Sequence, residues 1–186
     1  MKSPATPALL LLFAILLPDP EPLRAQLKFD QSLSLSGGLY AASGFGTNFY
    51  TTGRYDYFIA GGRYFVEVSL GAGSIQSKVI SSVTKAEIFT SDNLITYEFS
   101  FAYDYAQGGA LPFFVFGVGA VREGQETHFA GVIGLGKRIP IPGLFGSNAL
   151  GFRYDIRDQI FSQQINNSDP FIVHNIVATL GIQIYF

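Results

Sequence analysis

Arg153, Asp155 and Arg157 alternate with Tyr154 and Ile156 in a short stretch near the end of the chain. In an extended segment, residues two apart share a face. Two guanidinium groups and a carboxylate would therefore point the same way. Glu67, Glu98 and Asp104 sit in similar alternating stretches, as do Arg54 and Asp56. Charges gathered on one face of a sheet and removed from water cost several kcal/mol each unless they are paired. The expected chemistry is thus an ion-pair network, with Arg153 and Arg157 set against Glu67, Glu98, Asp104 or Asp155. Such a network either plugs and stiffens an enclosed interior or lines a narrow path for an ion or small ligand.

Other chemistry has less to build on. The chain has two histidines, His128 and His174. A nucleophile–base–acid set can be drawn from Ser162 or Ser168, His174, and Asp158 or Asp169. No spacing motif supports it, so no catalytic residue is assigned. The glycine-rich pieces Gly131–Gly136 and Gly117–Gly119 lack the following helix and the Lys-Ser/Thr ending of a phosphate loop. Two isolated histidines without cysteine make a poor zinc site. No metal and no cofactor is expected.

The elements that would position these residues are strands. Leu33, Leu35 and Leu39 share one parity and Ser32, Ser34 and Ser36 the other. Tyr64, Val66, Val68, Leu70 and Ala72 oppose Phe65, Glu67, Ser69, Gly71 and Gly73. Ile95, Tyr97, Phe99, Phe101, Tyr103 and Tyr105 oppose Thr96, Glu98, Ser100, Ala102 and Asp104. Leu150, Phe152, Tyr154 and Ile156 oppose the Arg153 face. His174 to Phe186 alternates in the same manner. Period-2 alternation marks strands with two unlike faces. One face is bulky and apolar; the other is rich in glycine and serine with a few charges of both signs. A soluble sandwich would turn its charged face to water. Here a crowded lumen suits the small and charged face, and lipid suits the bulky one. Gly71, Gly73, Gly117, Gly119 and Gly181 would relieve crowding inside.

Turn signals divide the chain into about eight strands. Short links are expected at Ala60–Arg63, Gln107–Pro112 and Gly143–Asn148. Longer ones are expected at Ala42–Thr52, Ile75–Asn93 and Ser162–Pro170, with a shorter one at Arg122–Glu126. The predicted fold is all-β: a closed, antiparallel, up-and-down transmembrane barrel. Closure leaves no unpaired backbone in hydrocarbon, and about eight strands leave a lumen that side chains fill. Tyr55, Tyr57, Phe101, Tyr103, Tyr105, Phe152 and Tyr154 should form two interfacial girdles, with Phe186 at one rim. The competing architecture is a soluble barrel of lipocalin type, with Phe99, Phe101, Leu150 and Phe152 inside.

Composition agrees with a wall that meets little water. Charged residues make up 14% of the 186, against about 25% in soluble domains. Net charge is −2, so there is no basic footprint for nucleic acid. There are no cysteines, which removes disulfides and thiolate chemistry. Residues 1–25 read as a secretory signal peptide: Lys2, the apolar run Ala8–Leu17, then prolines and the small Ala25. Residues 26–186 form the barrel domain, and no further periplasmic domain is expected.

The chain ends Thr179-Leu180-Gly181-Ile182-Gln183-Ile184-Tyr185-Phe186. Thr179, Gly181, Ile184 and Phe186 resemble the C-terminal recognition signal of outer-membrane barrels. An apolar terminal strand can pair with the edge of an insertion machine by β-augmentation. Residues 27–186 as a whole resemble the OmpA/OmpX-like outer-membrane β-barrel domain families. The segment Phe152–Phe161 and the later His174-Asn175 are similar to a subfamily with an Arg-x-Asp-x-Arg-Asp penultimate strand. The resemblance implies fold and location: a monomeric integral protein of the Gram-negative outer membrane. Its partners would be membrane lipid, lipopolysaccharide and the barrel-insertion machinery. The resemblance implies no activity. A structural or surface-interaction role through external loops is expected; the alternatives are a narrow channel and a membrane-embedded lipid-modifying enzyme.

Overall fold

The computed structural model describes residues 29–42, 46–80, 87–105, 112–145, 148–164 and 169–186. The predicted signal peptide lies outside these residues. Eight strands follow one another: β1 (Gln31–Ala42), β2 (Gly46–Ile59), β3 (Tyr64–Ile80), β4 (Glu87–Tyr103), β5 (Phe113–Glu123), β6 (Glu126–Phe145), β7 (Asn148–Gln163) and β8 (Phe171–Tyr185). Each pairs antiparallel with the next, and β8 returns to β1 to close a barrel. The seam is tied at its end by reciprocal backbone bonds between Gln31 and Phe186, at 3.2 and 3.0 Å.

Register fixes the geometry. A path of paired residues leaves β5 at Phe113 and passes through Gly136, Asp155, Thr179, Gly38, Tyr50, Gly73 and Leu94. It comes back to β5 at Glu123, ten residues along. Ten steps of ~3.3 Å against eight strand spacings of ~4.8 Å tilt the strands by about 41°. The same values give a barrel radius of about 8 Å, which leaves room only for side chains.

The two faces of the strands are sharply unlike. Leu35 (72%), Phe99 (57%), Val118 (64%) and Leu180 (62%) project from the outer surface, and Ser32, Ser34, Thr96 and Ser100 are buried inside. Phe152 is exposed and Phe101 and Leu150 are partly so. The lipocalin-type arrangement, with these residues at the centre, is therefore not adopted.

The links depart from expectation. Strands consume most of the residues read as long loops. β2 already begins at Gly46, and the β3–β4 ladder runs out to Ile80 opposite Glu87. Gly124 and Gln125 alone join β5 to β6, while seven residues join β7 to β8. Link length thus does not alternate between short and long. Polar residues tolerate strand conformation when a ladder partner is present, as between Ile75–Ile80 and Glu87–Asp92, so polarity alone overstates loop length. The tight turns do sit where glycine permits them. Gly61 and Gly62 have φ of 69° and 87° in the β2–β3 turn, and Gly124 has 62°.

The aromatic residues also differ from the expected pair of girdles. Tyr57 lies near the β2–β3 turn, Tyr64 opens β3, Tyr103 closes β4 and Tyr105 follows it. All belong to the barrel end at which β1 begins and β8 ends, called the terminal end. Ring contacts of 5.2–6.4 Å link Tyr64, Phe101, Tyr103, Tyr105 and Phe116 there. The far end, called the mouth below, has scattered rings such as Phe49 and Phe129.

Candidate functional site

The lumen is layered. At the terminal end Phe58, Phe65, Phe113 and Tyr185 form an aromatic floor. Phe65 meets Phe113 edge-on at 5.2 Å, and Phe58 stacks on Tyr185 at 6.1 Å. At the mouth end Tyr40, Tyr50, Leu94, Val121, Phe161 and Val177 form an apolar cap. The expectation of an interior filled only by glycine, serine and matched ions is corrected here. A barrel of this radius has space at both ends that small residues would leave empty, and empty space forfeits dispersion contacts.

The ions occupy the middle layer. β7 presents Arg153, Asp155 and Arg157 inward, with Gln159 next on the same parity. β2 contributes Arg54 and Asp56, β3 Glu67 and β4 Glu98, all buried. Arg153 forks onto Asp56, with Nη1 at 2.9 and 3.1 Å from its two oxygens. Its Nη2 donates to Glu67, and its Nε lies 3.0 Å from Asp155. Arg157 donates through Nε to Asp155 at 2.8 Å, through Nη2 to Glu67 at 3.1 Å and through Nη1 to Glu98 at 2.7 Å, and its Nη1 also lies 2.6 Å from the second Glu67 oxygen. Arg54 Nη2 reaches Asp155 at 3.1 Å.

Neutral side chains add further hydrogen bonds to the carboxylates. Gln159 donates to Glu98 at 2.6 Å, and Gln183 and Ser32 donate to Asp56 at 2.7 and 2.9 Å. Asp155 thus touches three arginines. Charge-assisted, forked bonds of this kind are the ones strong enough to offset desolvation.

The structure brings Arg153, Asp155, Arg157, Glu67 and Glu98 together. It does not bring Asp104 to them. Asp104 pairs with Arg138, whose guanidinium lies over Phe58 and Phe65 at 4.6 and 4.5 Å from the ring centroids. Asp104 directly follows β4 at the terminal end, several residues below Glu98, so it meets the floor and not the central layer.

Arg138 was missed by the sequence reading because Lys137 beside it and Pro140 after it blur the alternation of β6. Gln159, Ser32 and Gln183 were legible by parity alone, continuing the faces of Arg153, Ser34 and Thr179. Gly71 and Gly181 do face the interior. A Cβ at Gly71 would run into the Tyr50 hydroxyl and Thr96 Oγ1, which bond each other at 2.5 Å. The terminal tetrad divides between faces: Thr179 is buried, Gly181 faces inward, and Ile184 and Phe186 point outward.

His174 lies outside the barrel wall, its Nδ1 2.8 Å from Asp158 Oδ2. Ser162 shares that outer face, and Asp169 precedes β8; Ser168 lies outside the described residues. His128 points into the mouth and stacks on Phe161 at 4.9 Å. The glycine-rich pieces are strand, within β5 and β6. Among the described residues no cluster of three or more metal-ligating side chains occurs, and no helix is long and apolar enough to cross a membrane.

These features define a class: a closed eight-stranded antiparallel barrel with an apolar outer wall and a lumen filled by an ion-pair network between apolar ends. The chain matches no protein-family model and no curated protein sequence.

Proposed function

We propose that the chain is an integral outer-membrane β-barrel protein whose barrel is a rigid scaffold, acting at the surface through the segments at its mouth. The observation that carries this reading is the outer wall. On β8 every outward residue from Phe186 to Ile176 is apolar: Phe186, Ile184, Ile182, Leu180, Ala178 and Ile176. The ten residue steps between Ile176 and Phe186 span an axial height of about 25 Å at ~3.3 Å each and the tilt above, which matches the apolar band of membrane barrels. Water would meet that surface at a cost of ~25 cal/mol per Å². The tyrosine-rich girdle at one edge suits a membrane–water interface.

A filled lumen supports the scaffold reading over the channel alternative. Three arginines face four carboxylates in the central layer, so most of the charge is matched, and aromatic side chains close the terminal end. Localisation to the outer membrane, export by residues 1–25 and engagement of the insertion machinery through Thr179, Gly181, Ile184 and Phe186 belong to the same proposal. The test is fractionation of expressing cells followed by gel electrophoresis in SDS with and without boiling. Recovery in the outer-membrane fraction with a heat-dependent mobility shift is expected. Recovery as a soluble species with no shift would refute it.

A further inference from the structure

A groove of about 580 Å³ runs up the outer wall across β5, β6 and β7. It starts at Pro112 and passes between Phe114, Phe116, Leu135 and Ile156. Asp158 lines its upper part, and Ile176 of β8 borders it there. Asp158 is the one carboxylate on its lining. Asp158 pairs with Ile176 and so lies within the apolar band, whereas His174 is the first polar residue past the band on β8.

A carboxylate in an apolar wall needs a counter-charge. Its partner is His174, whose Nδ1 lies 2.8 Å away while 56% of the side chain stays exposed. When the ring carries both protons, Nδ1–H donates to Asp158 and Nε2–H is left to donate to an anion beyond the band's edge.

We propose that this groove is a lipid site: one acyl chain lies along Phe114, Phe116 and Ile156, and the lipid's phosphate accepts a hydrogen bond from His174 Nε2. The groove's shape and apolar lining fit a chain. The exposed imidazole of His174 beyond its upper end selects the head. The lipid belongs to the leaflet on the side of the mouth. The inference rests on the membrane reading above and names a partner for the wall.

The test uses the full barrel in dodecyl maltoside, incubated with palmitoyl-oleoyl phosphatidylglycerol or with the diacylglycerol of the same chains. Retained lipid is counted by native mass spectrometry. One phosphatidylglycerol per barrel is expected, with little diacylglycerol. Ile156→Trp fills the groove and should lower occupancy about tenfold, since several methylenes lose their contacts. His174→Ala should lower it several-fold and abolish the preference for the phosphate-bearing lipid. Equal retention by wild type and both variants, or equal retention of the two lipids, overturns the proposal. A barrel that stays monodisperse without any amphiphile overturns the membrane reading and this one with it. A barrel that needs detergent and shifts on heating, yet keeps its lipid in Ile156→Trp, overturns the groove alone.

Discussion

Arg157 on β7 and Glu67 on β3 come from opposite walls of the eight-stranded barrel and meet across the lumen at 2.6 Å, both fully buried. Four strand steps separate them in either direction around the sheet. The contact is therefore a brace between walls that no backbone ladder connects directly. Asp155 sits between Arg153, Arg157 and Arg54 and locks the brace sideways.

Removing one member should leave charges stranded in the interior. Glu67→Gln strips a countercharge from Arg153 and Arg157. It is expected to destabilise the barrel by about 3–5 kcal/mol, the usual cost of breaking a buried pair. Urea unfolding in detergent, followed by the folded band on an unboiled gel, measures it. A loss below about 1 kcal/mol, typical of exposed pairs, would mean that the network is solvated.

Arg138 tests geometry separately from charge. Lysine keeps the charge opposite Asp104 but loses the flat face that lies on Phe58 and Phe65. Arg138→Lys should cost about 1–2 kcal/mol by the same unfolding assay, the worth of a desolvated cation–π contact. An unchanged midpoint would assign the rings a packing role only.

Gly71 tests how full the upper lumen is. Gly71→Val puts a branched side chain where the Tyr50 hydroxyl and Thr96 now meet. Overpacking of this kind costs about 1–3 kcal/mol. The expected result is a lower unfolding midpoint, with Tyr50→Phe in the same background recovering part of the loss. A neutral Gly71→Val would point to free space beside Tyr50.

The filled lumen also predicts silence in a planar bilayer. Wild-type barrel should show no steady ohmic conductance under an applied voltage. Uniform single-channel steps that scale with voltage would instead support the channel reading and require water between the ion pairs.

The fold was legible because each strand carries its own record of two faces. The series Ile95 to Tyr105 needs no partner to declare which side is bulky. The Arg153–Asp155–Arg157 face was legible for the same reason, as was its need for carboxylates from other strands. Which carboxylates was not legible. Parity says that Asp104 points inward but says nothing of its height, and height depends on the ten-residue shear that only pairing reveals. The aromatic girdle was misjudged on similar grounds: Tyr55, Tyr103 and Tyr154 lie far apart in sequence yet share one end once the register is known. Arg138 escaped because the alternation of β6 breaks around Lys137 and Pro140. The long links were overestimated because the polar residues of Gly46–Thr52, Ile75–Ile80 and Glu87–Asn93 read as loop when judged alone, and become strand when paired.

The account depends on the large outward side chains meeting lipid, and tryptophan fluorescence tests that directly. The chain contains no tryptophan, so Leu180→Trp places a single reporter halfway up the outer wall of β8. In vesicles whose acyl chains carry bromine, the account predicts blue-shifted emission that is strongly quenched. Emission at the wavelength of tryptophan in water, with no quenching by brominated chains, would contradict it.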